Sequence, residues 1–339
     1  MIWLSWRQFR FQAFVAFAVL TVVGGYLLKL GLGIRDAHDA ALARCGGGDC
    51  AGPLGEFQSA YQNPLLFLAA GLGLALALIG AFWGAPLVAR ELEAGTHRMV
   101  WNQSVTRRRW LGVKLLVVGL AAALAAGLAS ALLTWAAAPV DEAAGNRFST
   151  VFFGSRDIVP VSYAVFAVVL GTAIGLLVRR TLPAMAITLA AFIAFQFLVP
   201  NLLRPHFLPP KTTTMAMTPD AINQARALGD ISGAPVLRGI ALPQAPDAWI
   251  SRTSPFLTAD GETLSDEKFD HCFSNAPRTG ASGTFGDTAV CLGELDLHLE
   301  ISYHSGSRYW SFQWIETVFY LAASSVIGAF ALWRVRRLT

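Results

Sequence analysis

Residues 90–110 have the sequence RELEAGTHRMVWNQSVTRRRW and separate two long apolar segments, 64–89 and 111–139. This charged stretch holds five arginines and two acids, Glu91 and Glu93. The whole chain of 339 residues is 54% hydrophobic and only 14% charged, whereas soluble domains carry about 25% charged residues. We therefore expect an integral membrane protein in which residues 90–110 form a loop between two membrane-spanning helices.

Six segments of the sequence are long and apolar enough to cross a bilayer, whose hydrocarbon core of about 30 Å takes about 20 residues of helix. These segments are 11–32, 64–89, 111–138, 158–178, 182–203 and 312–333. Only Arg179-Arg180-Thr181 separate the fourth segment from the fifth, which predicts a tight hairpin. The expected fold class is an all-α membrane protein with a five-helix part, 11–203, and a sixth helix with a basic tail, 312–339.

Residues 1–10 precede the first apolar segment and combine tryptophan with arginine. Trp3, Trp6 and Arg10 fall on one side of a helix, and both residue types favour the headgroup layer of a membrane. We expect an interfacial helix over residues 1–10, with an ordinary flanking anchor as the alternative.

The distribution of basic residues predicts the orientation in the membrane. With both termini in the cytoplasm, half of the 26 Lys and Arg residues fall in cytoplasmic segments, together with only two acids, Glu91 and Glu93. The net charge of +4 therefore reflects topology rather than nucleic-acid binding, and we expect both termini and the loop 90–110 in the cytoplasm.

All four cysteines fall in segments assigned to the outer side of the membrane. The simplest of three connectivities pairs Cys45 with Cys50 across a glycine-rich stretch, and Cys272 with Cys291. Metal binding is the alternative, although the spacing matches no common zinc pattern.

The long segment 204–311 is large enough to form a small domain outside the membrane. Apolar and polar residues alternate over 295–303, which predicts a strand. Residues 219–228 are expected to form a short helix. The expected extracytoplasmic domain is therefore of mixed α/β structure.

The sequence offers no candidate catalytic site. It lacks the Gly-x-x-x-x-Gly-Lys-[Ser/Thr] loop for ATP, the His-Glu-x-x-His zinc motif and the Gly-x-Ser-x-Gly motif. We expect no enzyme activity, metal site or bound cofactor. Lys29 and Glu316 lie near the outer ends of their apolar segments, where both can reach the interface. The lack of an ionisable residue at a helix midplane argues against an ion-coupled carrier.

Two pairs of glycines, Gly80 with Gly84 and Gly171 with Gly175, have the spacing that lets helices approach closely. Packing within one subunit explains each pair better than a seam between two subunits. The pairs therefore predict close helix contacts without assigning an oligomeric state.

The fifth apolar segment places aromatic side chains beside one amide, at Phe192, Phe195 and Gln196. Such residues are candidates for lining a pathway for an amphipathic solute. Ordinary lipid-facing phenylalanine is an equally good explanation.

The motif Glu91-Leu92-Glu93-Ala94-Gly95-Thr96 resembles the Glu-x-Glu-x-Gly-Thr loop of type-2 ABC transporter permeases, the six-helix membrane subunits of exporters. In that family the loop lies on the cytoplasmic side between the second and third helices, which is its place here. The helix count, the tight hairpin and the outer domain before the last helix match as well. Residues 101–110 are also similar to permeases of high-GC Gram-positive bacteria.

The resemblance implies that the loop is a coupling helix that docks on a separate ATPase subunit. The residues expected to take part are Glu91, Glu93, Gly95, Thr96 and Arg98. Both acids are expected at the start of a helix, whose positive end favours them. Gly95 permits a sharp turn, and Arg98 offers a fork for a carboxylate. The arginines at 107–109 either join in docking or only anchor the loop to anionic lipid.

The resemblance further implies the permease of an ABC exporter in a bacterial plasma membrane, moving an amphipathic solute such as a drug, an antibiotic, a peptide or a lipid. Two copies, or this chain with a related permease, would form the pathway, and two ATPase subunits would bind ATP and Mg. The expected partners are these subunits and membrane lipids, with no nucleic acid. A membrane sensor or assembly factor, whose outer domain binds a ligand, is the alternative and predicts no dependence on an ATPase.

Overall fold

A computed structural model of the chain describes residues 2–45, 50–96, 106–144, 147–225, 227–230, 235–240, 242–245 and 247–337. The chain forms two compact units: a helical unit of residues 1–207 and 310–339, and a sheet-containing unit of residues 208–309. The sheet-containing unit lies within the segment 204–311 that was expected to form a separate domain.

Six runs of helix in the described part of the chain are long and apolar enough to cross a membrane, as the hydropathy pattern predicts. The helices are α1 (Ile2–Cys45), α2 (Ala51–Ile79), α3 (Pro86–Glu93), α4 (Arg107–Ala144), α5 (Thr150–Phe153), α6 (Val159–Val178), α7 (Thr181–Leu198), α8 (Pro219–Asn223), α9 (Asp266–Asn275), α10 (Gly286–Gly293) and α11 (Tyr309–Arg334). π-Helical turns at Gly80–Gly84 and Val199–Leu203 join α2 to α3 and extend α7, and 3-10 turns occupy Arg204–His206, Gly306–Arg308 and Val335–Arg337. The six spans are α1, α2 with α3, α4, α6, α7 and α11.

The first three spans are longer than the apolar segments that predict them. α2 begins well before residue 64, so Pro64 lies inside the helix, and α4 likewise runs through Pro139. The added ends of α1 and α2 pack against each other around the buried ring of Phe57. Residues of α4 belong to the same cluster. These contacts offset the backbone hydrogen bond that each proline removes, so α2 continues past Pro64 and α4 continues past Pro139.

Residues 2–10 continue into the first span without a break. The segment 1–10 was expected to be a separate interfacial helix, and this boundary is wrong, because α1 is one helix over Ile2–Cys45.

The glycine pairs hold α6, the most buried of the six spans, against the second span. A Cβ atom added at Gly171 would lie 2.4 Å from the carbonyl oxygen of Gly80, and one at Gly175 would be equally close to a backbone carbonyl just before α3. The Thr172 hydroxyl donates to the Gly84 carbonyl at 3.2 Å, inside the π-helical turn. Both glycine motifs therefore pack within this chain.

The sheet-containing unit holds five strands among its described residues. They are β1 (Lys211–Ala216), β2 (Ala227–Asp230), β3 (Pro235–Arg238), β4 (Trp249–Thr253) and β5 (His298–His304). One antiparallel sheet has the order β1–β5–β4, and β2 pairs with β3. The predicted strand at 295–303 is β5, whereas the helix expected over 219–228 ends at Asn223, because residue 228 belongs to β2.

Both predicted disulfides are present. Cys45–Cys50 links the end of α1 to the start of α2, and Cys272–Cys291 joins α9 to α10. The side chain of His271 lies near the second pair of sulfur atoms. Because both sulfurs are in a disulfide bond, neither is a thiolate that could bind a metal.

The Asp287 carboxylate holds the loop that leads into α10. It accepts hydrogen bonds from the hydroxyl of Thr279, from the Thr279 N–H at 3.0 Å and from the Ala281 N–H at 3.1 Å. These bonds, the one from the Thr279 hydroxyl above all, hold the pKa of Asp287 below its ordinary value.

Candidate functional site

The Glu-x-Glu motif forms the end of α3. Helix α3 ends at Glu93, and Gly95 adopts a φ of +70°, the left-handed conformation that commonly follows a helix C-terminus. The Thr96 hydroxyl is 3.5 Å from the Glu91 carbonyl oxygen, to which it donates. Both acids therefore lie in the last turn of a helix, which corrects the expectation that they begin one. Arg98 lies outside the described residues.

Lys114 of α4 supplies the positive charge that the end of α3 needs. A carboxylate in the last helical turn is repelled by the negative end of the helix dipole, which favours cations instead. The Lys114 ammonium forms an ion pair with the Glu91 carboxylate and donates to the Leu87 carbonyl at 3.2 Å. The Lys114 side chain is buried, and its Nζ lies 4.7 Å from the centroid of the Trp110 ring. Because a buried ammonium needs a partner, this pair ties α3 to α4.

Glu93 binds the start of a different helix. Its Oε2 atom accepts hydrogen bonds from the Thr181 N–H at 2.8 Å and from the Thr181 hydroxyl at 2.6 Å. Thr181 is the first residue of α7, and Arg179, with a φ of +58°, makes the sharp turn that brings α7 back from α6. A helix N-terminus favours a carboxylate. Glu93 therefore meets the positive end of α7, and not the start of its own helix.

Apolar packing surrounds these polar contacts. One buried cluster joins α3 to α4, α6 and the last span; its members are Val88, Trp110, Leu111, Ala173, Leu176, Ala331 and Val335. A second cluster joins the start of α3 to α7 through Ala85, Ala89 and Ala184. The end of α3 is thus built into the helical bundle and contacts four other spans.

Arg108 and Arg109, at the start of α4, are more exposed than Lys114 and Thr181, which are the partners of Glu91 and Glu93. The Thr106 hydroxyl accepts a hydrogen bond from the Arg109 N–H at 3.3 Å, which caps α4. Arg107 donates to the Arg336 carbonyl at 3.4 Å. The side chains of Arg108 and Arg109 are exposed, so docking and lipid anchoring both stay predictions for them.

A second polar cluster lies toward the opposite end of α6. Arg204 and Glu316 form a fully buried ion pair, with Nε to Oε2 at 2.8 Å and Nη2 to Oε1 at 3.0 Å. The buried Tyr163 hydroxyl donates to Oε1 of the same carboxylate. The guanidinium carbon of Arg204 lies 4.1 Å from the centroid of the Phe153 ring. Glu316 was expected to reach the membrane interface; this is wrong, because α11 places it between α6 and the end of the fifth span.

The candidate pathway residues lie on α7. Phe192 is fully buried, and its ring centroid is 6.3 Å from that of Phe166 on α6. Phe195 meets the same ring edge to face at 5.0 Å. Gln196 is half-buried. The two phenylalanines pack inside the bundle, and the role of the three residues in a pathway stays a prediction.

Two neighbouring cavities open on the first and second spans. One, of about 580 Å³, is an apolar groove lined by α1, α2 and α4. The other, of about 490 Å³ and called the charged cavity below, is lined by Arg90, Glu93 and Thr181 together with apolar residues such as Pro86 and Met185. Gln12 and Phe82 line both cavities, so the groove leads to the end of α3.

A family model described as ABC-2 membrane transporter related matches residues 17–204. The chain belongs to this family. The match begins within α1 and includes α3, while the sheet-containing unit lies beyond it. Family membership confirms the resemblance to type-2 ABC transporter permeases, and together with the six spans it confirms a multi-pass membrane protein. Comparisons with curated proteins and with solved structures gave no match.

Sequence patterns in this ABC-2-related chain did not indicate four of the residues that hold these sites: Lys114, Thr181, Arg204 and Tyr163. Lys114 had one available signal, since a lysine inside an apolar segment needs a partner and the two acids of the neighbouring loop were candidates. Arg204 and Glu316 are 112 residues apart and could be paired only by asking where two opposite charges at the ends of apolar segments would meet. Nothing in the sequence indicated Thr181 or Tyr163.

Proposed function

We propose that the chain is the membrane-spanning permease subunit of an ABC exporter, and that α3 with the loop after it transmits movement from a separate ATPase to the spans. One observation carries this proposal: the two acids of the Glu-x-Glu motif bind two different spans, α4 through Lys114 and α7 through Thr181.

The contacts of α3 explain how a force on the loop would reach the bundle. Helix α3 continues the second span through the π-helical turn at Gly80–Gly84. Pulling on its C-terminal end moves the Lys114 side chain with α4 and the N-terminus of α7 with Thr181. Beyond that end, Gly95 presents an exposed turn with no atom within 4 Å of the position of a Cβ. Glu91 and Glu93 therefore anchor α3 to two neighbouring spans, while Gly95 and Thr96 remain on the surface available to a partner.

The remaining parts of the proposal follow from the family and from the charge pattern. Two copies, or this chain with a related permease, form the pathway in a bacterial plasma membrane. Two ATPase subunits bind ATP and Mg at the cytoplasmic face, where the basic loop lies. The solute is amphipathic, such as a drug, an antibiotic, a peptide or a lipid, and the chain itself catalyses no reaction.

A pair of glycine variants tests the docking surface. Gly95 and Gly261 both have a positive φ, of +70° and +80°, and both face open space. Gly95→Trp and Gly261→Trp therefore impose similar local strain in the two units. We expect Gly95→Trp to abolish co-purification of the ABC ATPase that associates with the wild-type chain, and Gly261→Trp to leave it unchanged. Equal binding of the ATPase by both variants would refute the docking surface.

A second measurement separates docking from transmission. Glu93→Gln weakens the contact with α7 but leaves the surface of the loop intact, and the exposed Glu262→Gln is its control. We expect Glu93→Gln to keep the ATPase bound and hydrolysing ATP while cells lose resistance to amphipathic antibiotics. If no ATPase associates with the wild-type chain at all, the sensor or assembly-factor alternative replaces the exporter.

A further inference from the structure

The apolar groove and the charged cavity beside it form one amphipathic site. The groove is open along an exposed side of α1, where the lining residues Phe11 and Val19 are 75% and 57% exposed. Small residues of the neighbouring helices, Gly71 and Ala129 among them, leave the space between the spans empty. Its volume of about 580 Å³ is in the range of sites that take small organic ligands.

The junction between the two cavities is set by a proline. Pro86 has no N–H group, so it donates no hydrogen bond to the carbonyl of Phe82 four residues earlier. The Gln12 side chain donates to that carbonyl instead, at 3.1 Å. This bond links α1 to the second span at the point where the apolar lining gives way to polar groups.

The charged cavity holds the guanidinium of Arg90, which forms no ion pair with the Glu93 carboxylate that lines the same cavity. No ion pair or side-chain hydrogen bond joins Arg90 to another residue in the described part of the chain. Glu93 lines the same cavity, but its Oε2 is already bound by Thr181. A molecule that is apolar along its length and negatively charged at one end therefore matches the site. Its apolar chain would lie in the groove and its anionic head beside Arg90.

We propose that this site binds an anionic phospholipid of the surrounding bilayer, with its phosphate at Arg90 and an acyl chain in the groove between α1, α2 and α4. Bilayer lipid is the expected occupant because exposed apolar side chains of membrane spans line the groove, and because the groove adjoins the cavity lined by Arg90. A bound lipid fills the space between α1 and the second span and contacts α3 directly. The proposal depends on the membrane location of the chain and not on export.

Retention of lipid by the purified protein tests the proposal. The protein is washed in detergent that contains equal amounts of phosphatidylglycerol and phosphatidylcholine, and the retained lipids are counted by native mass spectrometry. We expect the wild type to retain phosphatidylglycerol preferentially. Since one basic residue near a membrane contributes about fivefold to the binding of an anionic lipid, Arg90→Gln reduces the preference about fivefold. Arg108→Gln, which removes an exposed charge elsewhere, leaves it unchanged.

A matched pair of glycine variants tests the groove itself. Gly71 lines the groove and Gly73 does not, and both have open space around the position of a Cβ. Gly71→Trp fills the groove and abolishes retention of the lipid, whereas Gly73→Trp retains it. Equal retention by the two variants, or a wild type without preference between the two lipids, overturns the proposal. So does a disulfide-linked dimer formed by Gly71→Cys in membranes, because a second copy of the chain would then cover the groove.

Discussion

The buried pair Arg204–Glu316 should contribute strongly to stability, and only as a pair. Both side chains are fully buried, and three hydrogen bonds converge on the carboxylate, two from Arg204 and one from Tyr163. Glu316→Gln keeps the size of the side chain but leaves a buried guanidinium without a counter-ion. Removing one partner of a buried ion pair costs about 3–5 kcal/mol. Since 1 kcal/mol shifts the melting temperature of a domain of 150–250 residues by about 2–4 °C, we expect a decrease of about 10 °C.

Thermal unfolding of the purified protein in detergent, with a double-mutant cycle, measures this effect. Arg204→Met should cost as much as Glu316→Gln, and the double variant should be more stable than either single one, because no charge is then left unpaired. The exposed pair Arg44–Glu56, at 3.1 Å, is the control, and Glu56→Gln should cost less than about 1 kcal/mol. Additive costs in the cycle, or a single cost at Glu316 as small as at Glu56, would contradict the buried pairing.

Three further predictions concern packing, orientation and pH. Gly171→Ala places a Cβ 2.4 Å from a carbonyl oxygen of the second span and should destabilise the protein by about 3 kcal/mol in the same unfolding assay. Gly25→Ala faces open space inside α1 and should leave the stability unchanged or raise it by up to about 1 kcal/mol, and equal stabilities of the two variants would rule out the close packing of α6. In intact cells an impermeant maleimide should label Asp260→Cys, at an exposed position of the sheet-containing unit, and should not label Thr96→Cys. The native cysteines are in disulfides and do not react, and the reverse labelling pattern would mean that the topology is inverted. Because the pKa of Asp287 is lowered on folding, its stabilising contribution is present above the unfolded value of about 4 and is lost as the pH falls through the folded pKa. Asp287→Asn should therefore make unfolding, followed by tryptophan fluorescence, less sensitive to acid between about pH 5 and pH 2, and an unchanged acid midpoint would contradict this.

The spans could be predicted from the sequence because the bilayer imposes one simple requirement, about 20 apolar residues of helix for each crossing. The ends of the helices could not be predicted in the same way. Pro64 and Pro139 normally mark helix ends, yet contacts between α1, α2 and α4 carry the helices past both residues. The cysteines were predictable because pairing neighbours in sequence was the simplest connectivity, and the structure has this pairing.

The chemistry of the motif was predictable in kind but not in partner. Both acids were expected at the N-terminus of their own helix. Instead they lie at the end of α3, and Glu93 binds the N-terminus of α7, which begins 88 residues later in the chain. Glu316 was assigned to the interface because a single charge near a helix end can usually reach water. Whether it can do so depends on which helices surround it, and only the packing of α6 and α11 decides that.

The two anchors of α3 differ in strength, and under the proposed function this difference has a consequence. In the Glu91–Lys114 pair the Lys114 side chain is buried and the Glu91 side chain is 14% exposed, so breaking the pair leaves a buried ammonium without its counter-ion, at a cost of up to about 3 kcal/mol. Glu93 and its hydrogen bonds to Thr181 are exposed, and water can replace Thr181 when the contact opens. During a transport cycle α3 and α4 would therefore move together, while α7 could separate from α3 at low cost. A force on the turn at Gly95 would then open the bundle between α3 and α7, beside the charged cavity that Arg90 lines.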